Sequence, residues 1–412
     1  MASAPPTYRI ISLDVVRGVA VMGILLANLP AFALPEAAYF SPLAGGGSTG
    51  WDRIVWFANF VFVEGKMRGL FTFLFGASML VVIDAASAKG DSAAAVHLRR
   101  MATLFVIGCL HLYLLWWGDI LAHYALVGAA AYMFARLGVR WLVVLACVSI
   151  ALQLLDDVTF WFVLVDSAAR ATPDQIATWN AFSEGFGLPP IATMLTNIEA
   201  IRGTFADGIT YRLAHEPTPL TILPLIGFQT LGAMLLGMAG YRSGFLTGAW
   251  PRRRYVLIAI VCLAVTLPLY VALALDTIAH GFDQRRVYFA SIVASEPIRP
   301  VTVIGYVALI MLAIDARGAI TRRLAAVGRV AFTNYLGTSV AMTFVFSGWG
   351  MGQFAQWSRG DLYWLVPIMW AAMLLWSPWW LARYRYGPLE WAWRSLARGE
   401  RQTMRHDRVA KS

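Results

Sequence analysis

Residues 10–32 constrain the chain more than any other stretch, because this almost wholly apolar run holds both Asp14 and Arg17. About 20 apolar residues are needed to cross the hydrocarbon core of a bilayer, and the run has that length. A charged side chain in such a span is expensive. The three-residue spacing puts Asp14 and Arg17 on one helical face, where they form a helix-end ion pair or turn together toward a polar interior. Gly18 and Gly23 thin the same helix where another can approach closely.

Runs of the same kind recur at 51–80, 96–117, 120–135, 141–155, 220–239, 255–275, 301–314, 330–346 and 362–381. The 412 residues are 59% hydrophobic and 14% charged, whereas a soluble domain carries about 25% charged residues. The expected fold is therefore all-α, a polytopic integral membrane bundle of ten transmembrane helices. Residues 1–381 are expected to form one transmembrane domain, with an external loop over 156–219 and a basic cytoplasmic tail over 382–412. Residues 1–8 lack the charged region of a signal peptide, so the first run is expected to stay as a helix.

The net charge of +10 would suit nucleic acid in a soluble protein, but here the cations cluster between the apolar runs and no basic, aromatic stripe accompanies them. With the N-terminus inside, 22 of the 33 Lys and Arg fall in cytoplasmic segments and 8 in external ones. That bias predicts both termini in the cytoplasm. Nucleic acid is excluded as a partner, membrane lipids are expected, and a homo-oligomer is compatible with the sequence.

The second run is interrupted by Glu64, Lys66 and Arg68. An unbroken helix would be long and tilted, with Glu64 and Arg68 paired at i,i+4; two shorter helices meeting at 65–69 are the other solution. The cluster either binds an anionic group or sits where partner helices shield it from lipid. Within 156–219, residues 191–205 are expected to form an amphipathic helix against the membrane face.

His111 is the sharpest candidate for chemistry, since a histidine moves protons near neutral pH. Asp119 either caps the helix that follows it or orients His111 across a tight hairpin, as a carboxylate does in an Asp–His dyad. His123 lies four residues after Asp119. Gln229 and Asn334 offer hydrogen bonds within apolar runs, as helix glue or as ligand contacts. Cys109, Cys147 and Cys262 show neither disulfide nor metal spacing, and no HExxH, GxSxG, Walker or dinucleotide fingerprint with its required strand and helix context is present. No metal and no tightly bound cofactor are expected.

Several motifs spread along the chain resemble the YeiB-like bacterial inner-membrane family. They are Leu13, Asp14, Arg17 and Gly18 as LDxxRG, Phe71 to Gly76 as FTFLFG, Gly108 with His111, Gly118 to Leu121 as GDIL, Asn334 to Leu336 as NYL, and Gly387 to Trp391 as GPLEW. That family is grouped with a transmembrane acyltransferase superfamily that includes the lysosomal heparan-glucosaminide acetyltransferase. The resemblance implies an inner-membrane protein that takes an acyl-CoA such as acetyl-CoA from the cytoplasm. It would pass the acyl group to an acceptor at the membrane or on its outer side. The lysosomal relatives carry an essential histidine in the loop after the first helix; this chain has none between Phe32 and Trp51. On this reading His111 is the general base, Asp119 its orienter, and Arg17 with nearby cytoplasmic arginines binds the donor's phosphates, Asn334 also belonging to the donor site. A transporter or lipid flippase suits the same buried charges, and a non-catalytic assembly subunit is a third class.

Overall fold

The protein, described by a computed structural model over residues 10–406, is all helical. Residues 1–9 and 407–412, which include Arg9, Arg408 and Lys411 of the charge argument, lie outside the described residues. Among the described residues eight helical stretches are long and apolar enough to cross a membrane. In chain order the first helices are α1 (Ile11–Ala33), α2 (Gly50–Phe62), α3 (Lys66–Ala88), α4 (Ala93–Leu110), α5 (Leu121–Ala131) and α6 (Val139–Ser167). Three short helices follow, α7 (Pro173–Phe186), α8 (Ile191–Arg202) and α9 (Phe205–His215), and then α10 (Leu223–Arg242) and α11 (Arg252–Ala279). The remainder is α12 (Gln284–Tyr288), α13 (Ser295–Ala313), α14 (Ala319–Arg329), α15 (Ala331–Phe346), α16 (Arg359–Leu362), α17 (Leu365–Leu381) and α18 (Pro388–Arg398).

Helix α1 is the hub: 78% of its spanning window is buried within the protein, against 17% for α11 at the periphery. Small residues make that position possible. A Cβ on Gly18 would strike the Leu324 carbonyl and one on Gly328 the Asp14 carbonyl, so α1 and α14 cross nearly backbone to backbone. Gly76 and Gly237 do the same for α3 and α10, against the carbonyls of Met234 and Phe73. Without a hydrophobic driving force between helices in lipid, such close crossings supply the packing that holds a bundle together.

The runs at 120–135 and 330–346 are shorter than a spanning helix. α15 has 16 residues and spends much of one face on Asn334, Thr338, Ser339 and Thr343. The 51–80 run is two helices, because Gly65 takes a φ of +69° between α2 and α3. Glu64 and Arg68 therefore do not share a continuous helix, and the i,i+4 pair does not form. The 141–155 run extends to 29 residues, since Asp156 and Asp157 do not end α6: Gln153 donates to Asp157 inside the bundle at 3.1 Å. Upstream of α13 the chain is already helical from Gln284, with a π-helical stretch at Phe289–Ala294, so Glu296 and Arg299 fall inside the protein and not in a loop.

The expected 191–205 helix stops at Arg202. Thr204 then caps α9 in a reciprocal capping box with Asp207, whose carboxylate accepts the Thr204 N–H at 2.8 Å. At the other end, α18 packs back on α4, with the Trp393 indole donating to the Arg100 carbonyl at 3.1 Å.

Candidate functional site

A cavity of about 550 Å³ opens among α1, α3, α4, α15 and α18. That volume falls in the range of small-molecule sites. Its walls are mostly apolar, from Leu13, Phe71, Leu74, Phe75, Met101, Leu104, Leu121 and Phe332, and four arginines reach it: Arg17, Arg100, Arg329 and Arg394. Arg17 donates to Asp14 Oδ1 at 3.2 Å and to Ser78 Oγ at 2.6 Å, which aims its fork along the cavity wall. The Arg100 guanidinium lies 4.2 Å from the Trp393 ring centroid, a cation–π contact that leaves its N–H groups directed elsewhere.

Glu390 is the cavity's second carboxylate, beside Asp14. It accepts the backbone N–H groups of Phe332 at 2.8 Å and Thr333 at 3.1 Å, so it sits on the N-terminus of α15 as a cap supplied from another helix. Burial raises its pKa above the ordinary carboxyl value, and the hydrogen bonds from Thr333 and Phe332 pull it back. Burial likewise lowers Arg394, aided by the neighbouring Arg398 and Arg17 guanidiniums. Among the described residues four guanidiniums and two carboxylates, one of them committed to a helix end, line the cavity. An anionic head on an apolar body fits it.

His111 begins a π-helical turn, His111–Leu115, that closes α4 with the Trp116 N–H on the His111 carbonyl at 2.9 Å. Such turns recur at functional sites. Its Nδ1 lies 2.8 Å from Asp119 Oδ1, while Asp119 Oδ2 accepts the Ala122 N–H at 2.9 Å. Asp119 thus performs both jobs that its position permits, capping α5 and orienting the imidazole. The carboxylate assigns the proton to Nδ1 and leaves Nε2 as an acceptor. Nε2 is buried without a hydrogen-bond partner, as is the hydroxyl of Tyr335, whose ring centroid is 5.5 Å from the imidazole. Arg212 of α9 holds the turn from outside, donating to the carbonyls of Tyr113 at 2.9 Å and Leu114 at 3.1 Å.

His111 does not itself line the cavity. It lies two helical turns beyond Leu104, about 10 Å along α4, and Tyr335 lies one turn beyond Ala331 on α15. Both Leu104 and Ala331 are cavity residues. The dyad and the cavity therefore share walls but not space.

Over 406 aligned residues the chain is 32% identical to "Uncharacterized protein YeiB" of Escherichia coli (strain K12), a match covering 94% of this chain and 96% of the relative. The chain belongs to the YeiB family. It is 27% identical to "Uncharacterized protein YxaH" of Bacillus subtilis (strain 168), with 96% of each chain covered. Residues 240–400 also match a family model described as "Protein of unknown function (DUF418)". With its eight membrane-length helices, this YeiB-family chain is a multi-pass protein of the bacterial inner membrane.

The segments that carried the resemblance to the YeiB family meet in space. Leu13, Asp14 and Arg17 of LDxxRG, Phe71, Leu74 and Phe75 of FTFLFG, Leu121 of GDIL and Glu390 of GPLEW all line the one cavity. Asn334 does not. Its amide donates to the Val327 carbonyl at 3.2 Å and Ser377 Oγ at 3.3 Å and accepts the Trp376 indole at 2.8 Å, which spends it on packing α14, α15 and α17.

The remaining candidates of this YeiB-family chain form a second polar region. Arg68 donates to Gln229 Oε1, Gln229 donates to Glu296, and Arg299 pairs with Glu296 at 3.2 Å. Lys66 instead turns to the Phe60 carbonyl and over the Tyr270 ring, and the Ser291 hydroxyl donates to Glu64. His123 Nε2 lies 2.9 Å from Thr230 Oγ1. Among the described residues no group of three or more His, Cys, Asp and Glu is placed to hold a metal ion. Arg100, Arg329, Arg394, Glu390, Glu296 and Arg299 were not singled out from the sequence as site residues. Glu390 had a signal in its place in GPLEW, and Arg100, Arg329 and Arg394 had one only as members of the cytoplasmic arginines expected near the donor.

Proposed function

We propose that the protein is an inner-membrane acyltransferase that binds an acyl-CoA donor in the arginine-lined cavity and uses His111 as general base toward an acceptor hydroxyl or amine. The observation that carries the reading is the imidazole itself: Asp119 fixes Nδ1 while Nε2 is buried and uncommitted. The topology that goes with it has ten crossings, counting α5 and α15 as short ones, and both termini in the cytoplasm. The 22-to-8 distribution of Lys and Arg supports that orientation, and it puts the cavity toward the cytoplasm and the dyad in the outer half.

In this scheme the phosphates of the donor meet Arg17, Arg100, Arg329 and Arg394, and the acyl end reaches His111 when the wall at Leu104 and Leu121 parts. The acceptor O–H or N–H donates its proton to Nε2 as its heteroatom bonds to the thioester carbonyl carbon. Asp119 stabilises the imidazolium. Collapse of the tetrahedral intermediate breaks the C–S bond, and the departing thiolate takes the proton from Nε2.

Purified protein in lipid nanodiscs, given acetyl-CoA and an inner-membrane extract, is expected to release CoA thiol and to leave an acetyl mass increment on an acceptor. His111→Asn and Asp119→Asn should each lower that rate by about 10²–10⁴-fold. Full transfer by both folded variants would end the proposal. Movement of an unmodified lipid or solute in proteoliposomes, with no CoA released, would replace the enzyme with a carrier.

A further inference from the structure

We propose that the crossing of α3, α10 and α13 is a binding site for a small monovalent anion, held between Arg68 and Arg299. The site is independent of the acyl-transfer reading. A cavity of about 30 Å³ lies there, walled by Arg68, Thr72, Gln229, Ala233, Glu296 and Arg299 among others. It has room for about two water-sized particles, too little for an organic substrate and enough for a halide or for one carboxylate group with a water.

The charges at this crossing are unevenly paired. Arginine stays protonated in proteins, and the two guanidiniums have one carboxylate in contact, Glu296, while the buried Glu64 and Asp157 act on Arg299 from farther off. Glu296 is already taken by Arg299 at 3.2 Å and by the Gln229 amide. Arg68 reaches only the neutral oxygen of Gln229, and no described Asp or Glu oxygen lies within ion-pair distance of it. Arg299 is 6% exposed; its Nη1 serves Glu296 and its Nη2 the Ser291 carbonyl at 3.0 Å, while its Nε has no acceptor. Arg68 without a carboxylate in contact and Arg299 with an idle donor, both inside a membrane bundle, call for a negative partner. Glu296 Oε1 is also without a partner, and a water accompanying the anion supplies the donor it lacks.

The test uses purified full-length protein in detergent, exchanged into sodium gluconate and titrated at constant ionic strength with chloride and, separately, with acetate. Thermal unfolding is expected to shift upward and saturate, by on the order of 2 °C. A response to chloride alone assigns a free halide, and one to acetate alone assigns a carboxylate ligand. Arg68→Gln should abolish the shift. Ala233→Val fills the cavity without touching a charge and should abolish it too, while melting in gluconate stays near that of the parent protein. Arg17→Gln, in the large cavity, should keep it. In crystals grown with bromide an anomalous peak is expected between Arg68 and Arg299. Melting indifferent to both anions, or a shift that survives Ala233→Val or disappears in Arg17→Gln, would overturn the site.

Discussion

The two polar regions of this bundle use the same residue types in opposite ways. At the crossing of α3, α10 and α13, Arg68, Gln229, Glu296 and Arg299 are bound to one another and leave about 30 Å³ between them. Around α1, α4 and α18, Arg17, Arg100, Arg329 and Arg394 face about 550 Å³. Buried charge is costly in both places. In the first the cations are tied to Gln229 and Glu296 and leave room for no more than a small ion; in the second they stand among apolar walls with space for a larger anionic group. What separates the two regions is the space beside the cations, not their burial.

The largest expected effect falls on the tied region. Glu296→Ala removes the counter-charge of a buried arginine, which costs about 3–5 kcal/mol when one partner of a buried pair is lost. It should appear as a sharp loss of folded yield and of melting temperature in detergent. A variant that melts like the parent would show that the cluster is not a tie at all, and the contrast between the regions would collapse.

In the open region the loss should be one of affinity. A hydrogen bond to a charged group is worth about 1.5–3 kcal/mol, so Arg17→Gln and Arg394→Gln should each weaken acyl-CoA binding roughly 10–100-fold, read by calorimetry, with melting little changed. Asn334→Ala should show the reverse. It strands the Trp376 indole and two further hydrogen bonds, for about 1–3 kcal/mol of stability, and leaves affinity unchanged. If Asn334→Ala weakened donor binding while Arg17→Gln did not, the roles that the structure separates, Arg17 at the cavity and Asn334 in packing, would have to be exchanged.

Much of this architecture was legible in the chain, because membrane helices announce themselves by apolar length and that signal is local. Asp14 with Arg17 and His111 with Asp119 were legible for a similar reason: spacings of three and eight residues across a helix or a tight hairpin bring side chains together with little help from the rest of the fold. Glu296 and Arg299 were hidden because the helical stretch before α13 begins at Gln284, so charges that read as loop lie inside the bundle. Arg100, Arg329 and Arg394 looked like orientation signals, and only the return of α18 onto α4 makes them neighbours. A long-range contact of that kind has no periodicity to reveal it. Glu64 and Arg68 erred the other way: their spacing suggested a pair, and the positive φ of Gly65 separates them.

The smallest expected effect concerns the segment that braces the dyad. Glu216, next to the end of α9, has its carboxyl pushed up to about 9, first by burial and then by the neighbouring Glu36 carboxyl that bonds to it, with Arg212 opposing. Glu36 is raised in the same way, by burial and by Glu184, with His215 opposing. Between the unfolded value of about 4.3 and about 9, the folded segment therefore holds more protons than the opened one, and its stability falls as pH rises through that window. Amide exchange in α9, corrected for the intrinsic rate, should quicken severalfold from about pH 6 to pH 9. Glu216→Gln should flatten the profile by keeping the hydrogen bond without a proton to lose. Since Arg212 on this helix holds the carbonyls of the His111 turn, the same loosening should reach Tyr113 and Leu114. Exchange that quickens in α9 and stays unchanged in the turn would show that the brace is passive.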